Sequence, residues 1–360
     1  MADRLDGRGP RRGPPPGAGR GRAHRRLHPY RQRENRYPRS RTPRPGGPAD
    51  RLDCTGTMKS PLYLVDASIY VFRAWHSLPP EMTDTGGWPV HAVHGFARFL
   101  LELLERERPQ HIAIAFDEAL DGCFRHRLYP AYKANREPAP EELRRQFAHC
   151  KALCAALGLP VLAHPEYEAD DLIGSALHIG RAAGLRGLVI SADKDLSQLL
   201  VDADEQWDMP RQQRWGVDQV KARYGVHAHQ IADYLALCGD AVDNIPGISG
   251  IGAKSAAVLL AHFGSLDALL ARIDEVPFLR LRGAAAIAAR LREQRAQALL
   301  FRQLTTVACD APAPPLAGLQ RSQPDGQMLD GLARVLRMGP MTRRRLFAAA
   351  GLPAPDSTPA

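Results

Sequence analysis

The 360-residue chain contains no apolar run of about eighteen residues, the length that crosses a membrane, and its start lacks the apolar stretch of a signal peptide. No membrane association is expected. Its six cysteines (Cys54, Cys123, Cys150, Cys154, Cys238 and Cys309) form no C-x-x-C pair and no zinc-finger spacing, which leaves no thiolate zinc site. Scattered thiols without a secretory signal suit a reducing compartment, so a cytoplasmic protein is expected. Lysine is absent from residues 1–57, where fifteen Arg stand against five acids. That stretch alone carries +10 against a formal total of +9, so the remaining residues sum to −1. Net charge therefore says nothing about nucleic-acid binding by the folded part, and any basic surface must be found locally.

Residues 1–57 also hold nine Pro and nine Gly. A segment with so little apolar surface cannot offset its ordering entropy, and a disordered tail is expected. Two readings stay open. The tail is a basic arm that binds nucleic acid, or Met58 is the true start and the stretch before it is untranslated.

From residue 62 the chain alternates. Leu62–Val65 reads as a buried strand ending at Asp66 and His111–Phe116 as a second ending at Asp117. A short third strand is expected near 159–162, and Gly187–Ile190 forms a fourth just before Asp193. Residues 90–107, 141–157 and 168–183 read as helices. This predicts an α/β fold: a mostly parallel central sheet flanked by helices, with ligands at the carboxyl ends of the strands. After about residue 215 helical patterns take over, at 217–224, 228–237, 254–263, 266–272 and 283–302, which predicts a helical lobe. The expected division is a tail (1–57), an α/β domain (58–215) with a helical arch at 118–137, a helical lobe (216–305), and a linker with C-terminal helices (306–360).

Nine carboxylates fall in five clusters: Asp66; Asp117; Glu168, Asp170 and Asp171; Asp193 and Asp195; Asp240 and Asp243. A soluble core cannot gather that much like charge without a counter-ion, and an all-oxygen set without His or Cys suits Mg²⁺ or Mn²⁺ rather than zinc. Glu168 and Asp171, three apart on a helix, can share a face. Asp193 and Asp195 alternate in extended chain and share a side. Two Mg²⁺ ions about 4 Å apart can clamp the attacking and leaving oxygens of a phosphodiester. Any one of these acids is as well explained as a surface residue, cap or ion-pair partner. The strand-end placement of three clusters is what argues for convergence.

Two further segments point to nucleic acid. Ile245–Lys254 reads as a helix-hairpin-helix: Gly247, Gly250 and Gly252 allow a tight turn and close backbone approach, amides of the next helix meet a phosphate, and Lys254 adds charge. Phe124–Arg136 combines Arg125, Arg127, Lys133 and Arg136 with Tyr129 and Tyr132. Placed after the strand ending at Asp117, it is expected to overhang the acids, its cations on phosphates and its rings on bases. The plainer reading is a solvated loop with two tyrosines plugged into the core.

Together these residues resemble the 5′-nuclease family: the 5′→3′ exonuclease domain of bacterial DNA polymerase I and free-standing phage and bacterial flap endonucleases. Leu64-Val-Asp66-Ala-Ser-Ile-Tyr-Val-Phe-Arg73, Phe116-Asp117, Phe124–Arg136, Glu168–Asp171, Ser191–Asp195 and Gly239–Gly247 follow in family order. The resemblance implies Asp66, Asp117, Glu168, Asp170 and Asp171 around a catalytic metal and Asp193, Asp195, Asp240 and Asp243 around a second. It implies Lys133 and Arg125 on the scissile phosphate, Tyr132, Arg136 and the hairpin residues on DNA, and K⁺ at the hairpin carbonyls. The activity implied is a Mg²⁺-dependent 5′→3′ exonuclease and 5′-flap endonuclease with a two-metal mechanism. It would act on branched or 5′-ended duplex DNA and RNA primers, as a monomer beside a DNA polymerase and a ligase. The chain ends soon after the match, so a stand-alone enzyme is expected. A structure-specific ribonuclease and a catalytically inactive branched-DNA binding protein remain as alternatives. The hairpin suits duplex DNA and the filled acid set suits catalysis.

Overall fold

The computed structural model describes residues 60–118 and 122–353. The tail at 1–57, the candidate start at Met58 and part of the arch (119–121) lie outside the described residues.

Five of the six residues of β1 (Pro61–Asp66) are buried, because helices cover both faces of the sheet it belongs to. Then come α1 (Ala67–Ser77), α2 (His91–Glu107), β2 (His111–Ala115), α3 (Phe124–Leu128), α4 (Glu141–Ala156), β3 (Val161–Leu162), α5 (Ala169–Ala182), β4 (Arg186–Ile190), β5 (Glu205–Asp208) and β6 (Gln213–Gly216). They form one six-stranded sheet in the order β3-β2-β1-β4-β5-β6, parallel except for the β5–β6 pair. Alternate side chains of β1 serve opposite layers. Tyr63 and Val65 join a core with Phe96, Leu100 and Leu153, while Leu62 and Leu64 join one with Leu172, Ala176 and Val189.

Register positions the chemistry. Asp66 lies level with Ala115 and Val65 with Ile190, so β1, β2 and β4 end together. Asp66, Asp117 and the Ser191–Asp193 segment therefore leave the sheet at one edge.

The β5–β6 hairpin was not legible in the sequence, since its buried residues include the polar Gln206 and Asp208 beside Trp207. The helical lobe comprises α6 (Val217–Tyr224), α7 (Ile231–Cys238), α8 (Ala253–Phe263), α9 (Leu266–Ala271), α10 (Ala284–Glu293) and α11 (Arg295–Thr305) around its own core, which includes Leu235, Leu259, Leu291 and Phe301. The single helix expected over 283–302 is thus two. The break falls at Gln294, whose side-chain oxygen accepts the Ser249 N–H at 3.1 Å and ties the junction to the hairpin. α12 (Gly326–Val335) and α13 (Pro340–Ala350) fold back on α4 and α2, burying Leu329, Leu336, Leu346 and Phe347. Among the described residues no helix is long and apolar enough to cross a membrane.

Candidate metal and nucleic-acid site

At the sheet edge the carboxylates are held by short polar links. The Ser191 hydroxyl donates to Asp66 at 2.9 Å and accepts the Asp193 N–H at 3.0 Å. The Asp117 N–H donates to the Ser68 hydroxyl at 3.0 Å, and the Asp117 carboxylate accepts the Ala169 N–H at 2.9 Å, at the start of α5. Gln206 of β5 props the Ser191 carbonyl from beneath at 3.1 Å.

These acids feel one another. Burial, then the charges of Asp117 and Asp193, push Asp66 up to about 7. Burial together with Asp193, Asp66, Asp117 and Asp195 drives Asp170 well above the usual carboxylate range. Asp195 is raised by burial and by Asp193, Asp240 and Asp243, and Asp193 is raised chiefly by burial. One oxygen of Asp195 is buried without a hydrogen-bond partner.

The other side of α5 is different. Burial alone would raise Glu168, but Lys133 and Arg125 outweigh it and hold Glu168 down at about 2. Lys133 forms an ion pair with Glu168 and stands 3.9 Å from Asp243. It does so from a left-handed backbone (φ 53°), unusual for a side-chain-bearing residue. Its own N–H donates to the Asp243 carbonyl at 3.0 Å, and Asn244 reaches back to the Ala131 carbonyl at 2.6 Å, so the arch is knitted to the 240–245 loop. Arg136 binds Asp243 at 2.7 Å.

Three expectations are corrected here. Arg125 is 3% exposed and does not face a phosphate. Its five N–H groups are all engaged: Nε with the Leu304 carbonyl (2.8 Å), Nη1 with Glu168 (3.0 Å) and Asp171 (2.7 Å), Nη2 with Asp171 (2.7 Å) and the Thr306 carbonyl (2.9 Å). Asp171 is fully buried and shares Arg125 Nη1 with Glu168. Besides Arg125 it accepts the N–H groups of Glu168 and Ala308, which fills its lone-pair positions. Tyr132 is 2% exposed, so its ring is not open to a base. Its hydroxyl lies between Glu168 (2.9 Å) and Asp243 (3.0 Å). The plainer reading of a plugged tyrosine applies to it.

Lys194, between Asp193 and Asp195, binds Asp240 at 2.6 Å and stands 3.6 Å from Asp195. Asp240 and Ile245 exchange backbone hydrogen bonds, so the loop with Asp240 and Asp243 is also the entry to the glycine hairpin. Gly247 has a positive φ of 69°, and a Cβ there would meet the Gly239 nitrogen at 2.3 Å. Gly250 (φ +82°) is exposed, and Gly252 has nothing within 4 Å of its Cβ position and caps α8 without a side-chain bond. The first amides of α8 and the exposed Lys254 thus face solvent.

Ser68, Ser191, Lys194 and Gln206 were not assigned from sequence. Ser68 lies inside the Leu64–Arg73 motif, and Ser191 and Lys194 inside Ser191–Asp195. Gln206 carries no local signal. Among the described residues no three His, Cys, Asp or Glu side chains stand as a ready-made ligand shell. The donor set still fits a hard divalent cation. It is all oxygen, includes a buried carboxylate oxygen on Asp195 with no hydrogen-bond partner, and contains four acids raised by burial and by one another's charge, which a cation would lower.

Comparison with known proteins matches residues 61–225 to the family model "5'-3' exonuclease, N-terminal resolvase-like domain" and residues 226–327 to "5'-3' exonuclease, C-terminal SAM fold". DNA polymerase I of Pseudomonas aeruginosa is 42% identical over 253 residues, covering 70% of this chain and 28% of that protein. DNA polymerase I of Rhizobium leguminosarum is 37% identical over 290 residues, covering 79% and 28%. The chain therefore spans little more than a quarter of the length of these relatives. Among solved structures, T5 5′-exonuclease with divalent zinc bound aligns with a TM-score of 0.56 at 20% identity, over 81% of this chain and 99% of that one. The catalytic core of Rad2 in complex with DNA substrate aligns at 0.55 and 15% identity, over 81% and 92%. At those identities the likeness establishes the fold.

Proposed function

This chain belongs to the 5′-3′ exonuclease family, and we propose that it is a Mg²⁺-dependent nuclease that hydrolyses phosphodiesters at the 5′ ends and 5′ flaps of duplex DNA, RNA primers included. One observation carries this reading. Acids from the ends of β1, β2 and β4 and from the start of α5 meet at one edge with more negative charge than the chain's own cations balance.

Asp66, Asp117, Glu168 and Asp170 would hold one divalent ion and Asp193, Asp195, Asp240 and Asp243 a second, several of them through water. Mn²⁺ would substitute for Mg²⁺. Bound there, the ions would polarise the phosphoryl oxygens and activate water, as in two-metal hydrolysis. Asp171 is dropped from this set because its lone pairs are already used.

The protein's own side chains supply the rest. Lys133 and Arg136, freed from Glu168 and Asp243 as divalent charge arrives, would orient the scissile phosphate and stabilise its developing charge. The hairpin amides after Gly252, with Lys254, would hold the phosphate backbone of the duplex without reading bases. K⁺ on the hairpin carbonyls belongs to the same proposal, as do a monomeric state, a cytoplasmic location and work beside a DNA polymerase and a ligase. DNA bound in the Rad2 structure and divalent ions bound to T5 5′-exonuclease support the reading by fold.

The test is an end-labelled 5′-flap duplex incubated with the protein in Mg²⁺ and in EDTA. Short 5′ products in Mg²⁺ alone are expected. Intact substrate in both, or faster cleavage of a matched RNA flap, would reject the proposal.

A further inference from the structure

Arg125 and Asp171 form a buried two-point contact in which all five guanidinium N–H groups and both carboxylate oxygens are engaged. Arg125 sits near the start of α3, at the base of the arch. Asp171 is in the first turn of α5, the helix that presents Glu168 and Asp170. Arg125 also binds Glu168 at 3.0 Å, its remaining partners are the carbonyls of Leu304 and Thr306 at the end of α11, and Asp171 also receives the N–H of Ala308 just beyond it. One buried pair thus fastens three segments: the arch base, the acid-bearing helix and the last helix of the helical lobe. The carbonyls it takes are the ones that a helix C-terminus leaves unpaired, where a cation is favoured. A two-point guanidinium–carboxylate fork fixes orientation as well as distance, which a lysine cannot do.

We propose that Arg125 and Asp171 are a positioning pair that seats the helical lobe against α5, setting where Glu168 and Asp170 stand, and that Asp171 coordinates no metal. The inference rests on the acidic cluster being a divalent-metal site. It adds which acid is not a ligand and what holds the others in place.

The experiment compares the full chain with Arg125→Met, Asp171→Leu, the double variant, and Asp193→Asn as a ligand control. Breaking a buried pair leaves an uncompensated charge, whereas replacing both partners removes it. Each single variant is expected to melt roughly 5–15 °C below the wild type, and the double variant above either single. In DNA-free calorimetric titration with Mn²⁺, the double variant should bind within about fivefold of the wild type, while Asp193→Asn loses more than about tenfold. On a 5′-flap substrate at saturating Mg²⁺, its kcat should fall roughly tenfold with KM within about threefold, since the displaced groups are acids rather than DNA contacts.

A double variant that loses Mn²⁺ as badly as Asp193→Asn would make Asp171 a ligand and overturn the proposal. So would a double variant less stable than both singles, or one with wild-type kcat. If the leucine variants do not fold, Arg125→Lys carries the test: it keeps the charge and loses the fork, so wild-type kcat in that variant overturns the positioning role. If the wild type takes up no Mn²⁺, the metal site and this inference fall together. If the wild type binds and the double variant does not, only this inference falls.

Discussion

Glu168 and Asp170 are two residues apart at the start of α5, yet their surroundings have opposite sign. Glu168 faces Lys133, Arg125 and the Tyr132 hydroxyl and is held at about 2. Asp170 faces Asp193, Asp66, Asp117 and Asp195 and is driven well above its ordinary range. A helix turns about 100° per residue, so neighbouring acids can look into different environments. Lys133 and Arg125 outweigh the burial of Glu168, whereas Lys194 offsets the charge beside Asp193, Asp195 and Asp240 only in part, and Asp170, Asp193 and Asp195 stay raised. The family resemblance groups the nine acids around two metals. The structure adds a contrast between Glu168, balanced by Lys133 and Arg125, and the raised Asp66, Asp170, Asp193 and Asp195, while the Asp171 oxygens are engaged by Arg125 and two backbone N–H groups.

Substitutions on the two sides should therefore differ. The largest effect is expected on the uncompensated side. Asp193→Asn should lower flap cleavage by roughly a thousandfold, the several kcal/mol a divalent ion contributes to a phosphoryl transition state, with DNA affinity within a few-fold of wild type. Normal cleavage by that variant in Mg²⁺ would remove Asp193 from the site. On the balanced side, Lys133→Met should cost roughly a hundredfold in kcat, typical of losing one charge-stabilising donor. In titration without DNA it should bind Mn²⁺ no more weakly than the wild type, because its competitor for Glu168 is gone. Weaker Mn²⁺ binding would contradict the division.

The division also predicts a pH dependence in EDTA. Asp66, at about 7 in the folded chain against an ordinary 3.8, binds a proton over a range where the unfolded chain does not. Stability should then fall as pH rises from about 4 to about 7. Glu168, held at about 2, contributes stability above its ordinary 4.5 that is lost as pH falls toward 2, outside that window. Melting temperature in EDTA should thus be lower at pH 7.5 than at pH 5, and Mg²⁺ should raise it more at pH 7.5. A rising melting temperature across that interval in EDTA would count against an uncompensated cluster. The smallest effect is expected at the hairpin. Lys254→Ala should weaken duplex binding a few-fold and reduce the salt slope by about one, leaving kcat unchanged. An unchanged salt slope would place the phosphate contact elsewhere.

The sheet and its acids were legible because strand ends announce themselves. An apolar run stops and an Asp follows, as at Asp66 and Asp117, and a parallel sheet brings such ends together. The glycine hairpin was legible for a local reason too, since Gly247 stands where no Cβ fits. Arg125 was not legible. Within Phe124–Arg136 it looks like one more exposed cation, and the groups that bury it lie 46 residues away at Asp171 and 179 away at Leu304. Tyr132 failed in the same way, since Asp243, 111 residues on, supplies part of its setting. The β5–β6 hairpin depends on buried polar contacts made by Gln206, and the break at Gln294 carries an exposed hydrogen bond from Ser249, neither of which hydrophobic periodicity registers.

The most direct test of the divided cluster is anomalous diffraction from crystals of the protein soaked in Mn²⁺. Ions are expected among Asp66, Asp117, Asp170 and Asp193 while Asp171 keeps its fork with Arg125. Manganese bound to the Asp171 carboxylate, or none at the sheet edge, would contradict it.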